Sequence, residues 1–202
     1  MSGRKQFNVT DALDRAMRVF WECGYADTSL NALESATGLA RSSLYSTFGG
    51  KDALFRQCLD RYAATYGARY EQALTTYAGE PVRAVEAYFD VVLARIADPA
   101  VPKGCLIAQS AAQSANLREE GSKQVRALLD TQRRRVRAAL ADSGAEPRIL
   151  DELAGFVVAV QQSLAVLSCA GSSDAELRVV VRLACRTVAD TLTRTEPGRQ
   201  SA

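Results

Sequence analysis

The run from Thr28 to Lys51, TSLNALESATGLARSSLYSTFGGK, narrows the possible folds of this chain more than any other stretch. Thr28 and Ser29 supply side-chain oxygens where a helix can begin, and the free amides of a first turn need such acceptors. Leu30, Leu33, Ala36 and Thr37 then follow one side of about two turns. Gly38 ends that helix, because glycine enters the left-handed backbone region without steric cost. Leu39 can tuck under the turn, and a second short helix is expected from about Ala40 to Phe48. In it Leu44 and Phe48 share an inner face, which leaves Arg41, Ser42, Ser43, Tyr45 and Ser46 on the other faces. A helix, a glycine turn and a second helix with small polar and basic residues at its start describe a helix-turn-helix. Its second helix is sized to enter a DNA major groove.

The same stretch and its flanks carry a family likeness. The matching residues are Leu13, Ala16, Phe20, Gly24 and Tyr25, then Thr28-Ser29 and Ala36-x-Gly38-Leu39. Leu44-Tyr45-x-x-Phe48 and Lys51-x-x-Leu54 complete the set, over residues 8 to 60. On these residues the chain resembles a TetR-family transcriptional regulator. The resemblance implies an all-α fold of about nine helices, with a three-helix DNA-binding domain followed by a helical effector-binding and dimerisation domain. The boundary is expected near residue 50, giving domains at 1–50 and 51–202.

Composition narrows the chemistry. A chain of 202 residues with 48% apolar side chains, five prolines and no low-complexity tract should fold throughout, as one or two small domains. The net charge of +2 is too small to argue for nucleic acid by itself. Residues 1–62 carry eight Lys/Arg against seven Asp/Glu, so DNA binding must come from where charges sit. Five scattered cysteines, Cys23, Cys58, Cys105, Cys169 and Cys185, suit a reducing compartment and fit neither a disulfide scaffold nor a zinc site. The chain has no histidine, which removes Ser-His-Asp and Cys-His catalysis and most transition-metal sites. No catalytic residue, metal or cofactor is expected, and an enzyme is not expected. The N-terminus is polar and basic without a signal-like apolar run, and the apolar stretch Leu153 to Val160 is too short to span a bilayer. A cytoplasmic location without a membrane partner follows as the expectation.

The remaining segments read in order. Arg4 and Lys5 form either a frayed end or a basic arm on DNA. A helix starts at about Thr10, capped by Thr10 or Asn8, with Leu13, Ala16, Met17 and Phe20 as its stripe and Gly24 as its end. Trp21 and Tyr25 read as packing residues. A long connecting helix runs from about Lys51 to Tyr77, with Leu54, Phe55, Cys58 and Leu59 toward the small domain. Tyr62, Tyr66 and Tyr70 share one face of it, as ordinary core or as the wall of a ligand pocket. Glu80-Pro81 opens a helix to Ala97 with Val85, Phe89, Val92 and Leu93 inward, and the prolines of 98–102 break it. After the segment 104–114 a charged helix spans about 118–141, its Arg133, Arg134, Arg135 and Arg137 read as solvated surface. The last two helices, 147–170 and 173–193, are apolar on nearly every face. Such helices must be buried on two sides, so a homodimer through this pair is expected.

Thr28, Ser29 and Lys51 stand at helix starts, where partial positive charge and free amides favour a phosphate. Arg41 can fork onto a guanine or clamp a phosphate, and Ser42 and Ser43 can reach base edges or phosphates. The resemblance adds Tyr45 and Ser46 as backbone contacts. It also implies a small apolar or amphipathic effector in the C-terminal domain, whose binding shifts the spacing of two reading heads. Candidate pocket residues are Tyr66, Tyr70, Phe89, Cys105, Gln109, Gln113, Phe156 and Gln161. The glutamines read equally as bonded or surface amides. Lys103-Gly104-Cys105-Leu106 resembles a motif of electrophile-responsive members, and Cys105 is either a reactive or a buried thiol. The expectation is a homodimeric repressor on a palindromic double-stranded operator, released by a small-molecule or electrophile effector. The alternative is a helical ligand-binding or adaptor protein that no longer reads DNA.

Overall fold

Side-chain oxygens and prolines set where the helices begin. In the computed structural model, which describes residues 8–194, Asn8 Oδ1 accepts from the Thr10 amide at 2.9 Å and opens α1, Val9–Asp27. Ser29 Oγ accepts from the Ala32 amide at 3.1 Å and opens α2, Leu30–Thr37, which Gly38 closes at φ 73°. Next come α3, Arg41–Phe48, and α4, Lys51–Thr76. Pro81 and Pro147 start α5, Pro81–Ala97, and α8, Pro147–Cys169, where a missing amide costs nothing. Between these lie α6, Leu106–Ala112, and α7, Glu119–Leu140, and α9, Asp174–Arg194, is the last. Among the described residues the elements are these nine α-helices and two short 3-10 turns, with no strand. The all-α expectation holds. Arg4 and Lys5 lie outside the described residues.

Two local expectations need correction. Helix α1 does not end at Gly24: the backbone breaks there (φ 79°, ψ 170°) and helical structure resumes to Asp27. Thr28 does not cap α2. Its hydroxyl is buried and donates to the Gly24 carbonyl at 2.6 Å, satisfying a group that the break leaves open.

The described chain forms two compact units, each made of separated stretches: residues 8–65 with 106–126, and residues 66–105 with 127–194. The compact units therefore do not follow a single cut near residue 50. In the first unit Phe20 meets Phe55 edge-on at 5.1 Å, and Trp21 meets Tyr62 at 4.9 Å. Phe20, Leu33, Leu44, Phe55 and Leu59 are essentially solvent-free, each contributing about 1.5–3 kcal/mol of burial. Arg61 forks onto Asp14 at 2.7 and 2.9 Å, tying α4 to α1. Helix α6 packs against α1. Gln124 donates to Arg56 O at 3.0 Å and Asp60 Oδ1 at 2.5 Å, holding the start of α7 to α4.

In the second unit α5, α8 and α9 pack on one another through Phe89 and Val92, Ala154 and Val157, and Ala184 and Val188. Tyr88 is buried among them, its ring 5.4 Å from Tyr70 and 5.5 Å from Phe89. The 23 residues of α8 are longer than its apolar run suggests, and by length and composition they could cross a membrane. Its buried side, including Leu153, Val157 and Leu164, instead faces the core. Of the α7 arginines read as solvated surface, Arg133 and Arg134 are exposed, whereas Arg135 and Arg137 are half-buried and paired, with Glu71 at 2.9 Å and Asp151 at 2.7 Å.

Candidate nucleic-acid interface

Helix α3 is anchored by its inner side and free on its outer one. Leu44 and Phe48 are buried, while Arg41, Ser42, Tyr45, Ser46 and Thr47 are exposed and Ser43 is half-buried. The expected inner and outer faces are therefore those observed. Tyr45 is 49% exposed, a large apolar ring left in water beside three small hydroxyl side chains. Small residues let a helix approach a groove closely.

The start of α3 is capped from a distance. Ala40 has no capping side chain, and Glu34 Oε1 accepts the Arg41 amide at 2.6 Å in its place. The same carboxylate lies 3.6 Å from the Arg41 guanidinium, which also donates to Asn31 Oδ1 at 2.9 Å. Arg41 is thus parked along α2. Because the Arg41 side chain is 54% exposed, such a pair is worth roughly 0–1 kcal/mol and can be exchanged for a base or phosphate at little cost. Glu34 escaped the sequence reading, since no local rule links a residue to a helix start seven positions on.

Ser29 stays exposed at the start of α2. Lys51 is half-buried, its ammonium 4.5 Å over the Tyr25 ring. Burial lowers its pKa, against the opposing pull of Asp52 and Asp27. Tyr25 in turn donates a short hydrogen bond to Asp52, whose other oxygen takes Arg118 at 2.7 Å. Burial first, then the Asp52 bond and charge, push the Tyr25 phenol up to about 12. Asp52 therefore joins α1, α4 and the chain ahead of α7, a role its place next to Lys51 did not reveal.

Of the expected DNA-contact set, Ser29, Arg41, Ser42, Tyr45 and Ser46 are exposed, and Ser43 and Lys51 half so. Thr28 is the exception: its side chain is 1% exposed, with its hydroxyl bonded internally.

Among the candidate pocket residues, Tyr70, Phe89 and Gln161 gather around Tyr88 in the second unit. Tyr70, Phe89, Cys105 and Gln161 are buried in the second unit, whereas Gln109 and Gln113 belong to the first. Gln161 Oε1 accepts from Tyr88 Oη at 2.5 Å and Tyr70 Oη accepts from Arg95 Nε at 2.9 Å, so these groups hold core structure. Tyr88 and Arg95 were absent from the sequence reading. Phe156 is 36% exposed and stands on the outer side of α8. Cys105 is 4% exposed, which denies its sulfur the access a reactive thiol needs. Tyr66 lines a sizeable groove, of about 560 Å³. The described residues hold no cluster of three or more potential metal-ligating side chains.

A capped helix pair whose second helix is anchored on its inner side and exposed on its outer one defines a helix-turn-helix protein. A family model for bacterial regulatory proteins of the TetR family matches residues 12–58, and one for the LmrA/YxaF-like transcriptional regulator C-terminal domain matches residues 81–183. The chain belongs to the TetR family of transcriptional regulators. It is 37% identical over 103 residues to the HTH-type transcriptional repressor ComR of Escherichia coli K12, covering 51% of this chain and 49% of ComR. It is 36% identical over 111 residues to the HTH-type transcriptional regulator YezE of Bacillus subtilis 168, covering 55% and 57%. The chain thus spans about half the length of these curated relatives. A cysteine mutant of the TetR-family regulator CifR, solved with 26-base-pair double-strand operator DNA, superposes with a TM-score of 0.79 at 27% identity. That match covers 92% of this chain and 98% of CifR. A Chloroflexus aurantiacus TetR regulator shares the fold at TM-score 0.76 and 23% identity, over 88% of this chain and 92% of that one.

Proposed function

We propose that this chain is a cytoplasmic homodimeric repressor that reads a palindromic double-stranded operator through α3 and releases it when a small molecule binds the helical unit. The observation that carries this reading is the outer face of α3, where Arg41, Ser42, Tyr45 and Ser46 stand exposed over a buried Leu44–Phe48 anchor. The operator complex of CifR supports it by analogy. Residues 1–50 are assigned to DNA reading, with Ser29, Ser43 and Lys51 as further contacts, and residues 51–202 to effector binding and dimerisation. For Thr28 only the backbone remains as a contact.

Dimerisation is assigned to the outer sides of α8 and α9, where Phe156, Val166, Leu167, Val179 and Leu183 are exposed. Removing such side chains from water is the main favourable term in association, and an isologous contact is the closed way to do it. The burial of Cys105 favours reversible occupancy by a small molecule over covalent attack at that sulfur.

Fluorescence anisotropy with duplexes tiling the DNA around the gene, at two salt concentrations, tests the reading. Tight binding to one tile that weakens steeply with salt is expected, because neutralised phosphates release counterions. Weak, uniform binding to every tile would favour a helical adaptor that does not read DNA.

A further inference from the structure

Helix α3 begins without a capping side chain of its own, yet its first amide is not open. Glu34 Oε1 accepts from the Arg41 amide at 2.6 Å, and Glu34 Oε2 lies 3.6 Å from the Arg41 guanidinium. A helix start carries partial positive charge and free amides, an arrangement that attracts phosphate. Here a carboxylate of the chain itself occupies that position. The Glu34 side chain belongs to α2 and is 28% exposed, so its charge remains open to whatever approaches the start of α3. Asn31 Oδ1 accepts from Arg41 Nη2 at 2.9 Å and steadies the guanidinium without adding a second charge.

Two kinds of DNA contact meet this charge differently. A backbone phosphate that takes the Arg41 guanidinium where it lies must come close to a like charge. A guanine edge is neutral, and its O6 and N7 accept a guanidinium fork without that repulsion. The recognition helix of a helix-turn-helix presents its N-terminal residues to base edges, so both contacts are within reach of Arg41. A like charge placed at such a point weakens one class of contact more than the other, which is how a binding surface discriminates. We infer that Glu34 is a specificity-determining residue: its carboxylate opposes phosphate contact at the start of α3 and leaves Arg41 for a guanine. The inference rests on the reading of α3 as the helix that meets DNA.

Glu34→Gln separates the charge from the cap, because an amide oxygen can still accept from the Arg41 backbone while the negative charge is gone. Fluorescence anisotropy of the full chain compares the tightest-binding tile with a scrambled duplex of equal length. The variant should bind the scrambled duplex about threefold more tightly, within the weight of one exposed charge pair. On that duplex the slope of log affinity against log salt should steepen by about 0.9, one further phosphate contact. The tile should gain less, so the ratio of specific to non-specific affinity falls. In an Arg41→Ala background most of the Glu34→Gln gain should vanish, since the two residues act as a pair. Equal gains on both duplexes, an unchanged slope, or a full gain that persists without Arg41 would each overturn the inference. A parent chain that binds both duplexes weakly and alike refutes the operator reading instead. The role of Glu34 is then decided by the scrambled duplex alone: a gain with the steeper slope upholds it, and no gain refutes it.

Discussion

Helices α3 and α8 solve opposite problems. Helix α3 spans eight residues, buries Leu44 and Phe48, and turns small hydroxyls, an arginine and a tyrosine outward. Helix α8 spans 23 residues, buries nine, and leaves Phe156, Val166 and Leu167 in water. One outer face suits a hydrated, charged polymer and the other suits a dry surface. The comparison teaches that the inner faces of both helices answer to the fold, while their outer faces point to different partners.

Charging the dry face should have the largest effect. Val166→Asp with Leu183→Asp should cost about 2–4 kcal/mol per site in dimer affinity, read by sedimentation as monomers that keep their helical signal. Dimers that persist would remove α8 and α9 as the interface. The choice of residue matters here. Leu164 and Val181 lie on the same helices but are 0% and 9% exposed, so a charge there would unfold the unit rather than test the contact.

Glycine positions sharpen the contrast between the units. Gly38 and Gly104 have nearly the same backbone, φ 73° and 80°. An added Cβ at Gly38 meets open space, whereas one at Gly104 would lie 2.6 Å from Cys169 Sγ. Gly104→Ala should therefore lose about 2–4 kcal/mol in denaturant unfolding, combining left-handed strain with overpacking. Gly38→Ala should lose only the strain, about 1–2 kcal/mol. Adding Cys169→Ala to Gly104→Ala should recover the difference; no recovery would mean that the sulfur is not what excludes a side chain.

On the polar face, Arg41→Ala should weaken binding to the specific duplex by about 1–3 kcal/mol with dimerisation unchanged. Unchanged affinity would leave Arg41 as a partner of Asn31 and Glu34 only. The smallest effect is kinetic. A thiol reagent near neutral pH should modify exposed Cys23 and Cys169 first. The buried Cys58, Cys105 and Cys185 should react slowly, and burial also pushes the Cys58 and Cys185 thiols up, Cys185 to about 11. Deprotonation needs pH near those values, so their reactivity should rise only as pH climbs toward them.

What the sequence determined alone was local. The apolar stripes, the Gly38 stop, the proline starts of α5 and α8 and the inner face of α3 all follow from interactions a few residues apart, and each is present. The pairing of Leu44 with Phe48 needed only helical periodicity. What tertiary structure decided was the fate of polar groups. Thr28 reads as a cap and instead closes a break at Gly24, Glu34 caps a helix it does not belong to, and Gln161 bonds Tyr88 from 73 residues away. Gln109 and Gln113 fall in a different unit from Tyr66. The physical reason is range. Backbone preference and hydrophobic period act along the chain, whereas a hydrogen-bond partner or a groove wall is chosen by whichever distant segment folding brings alongside.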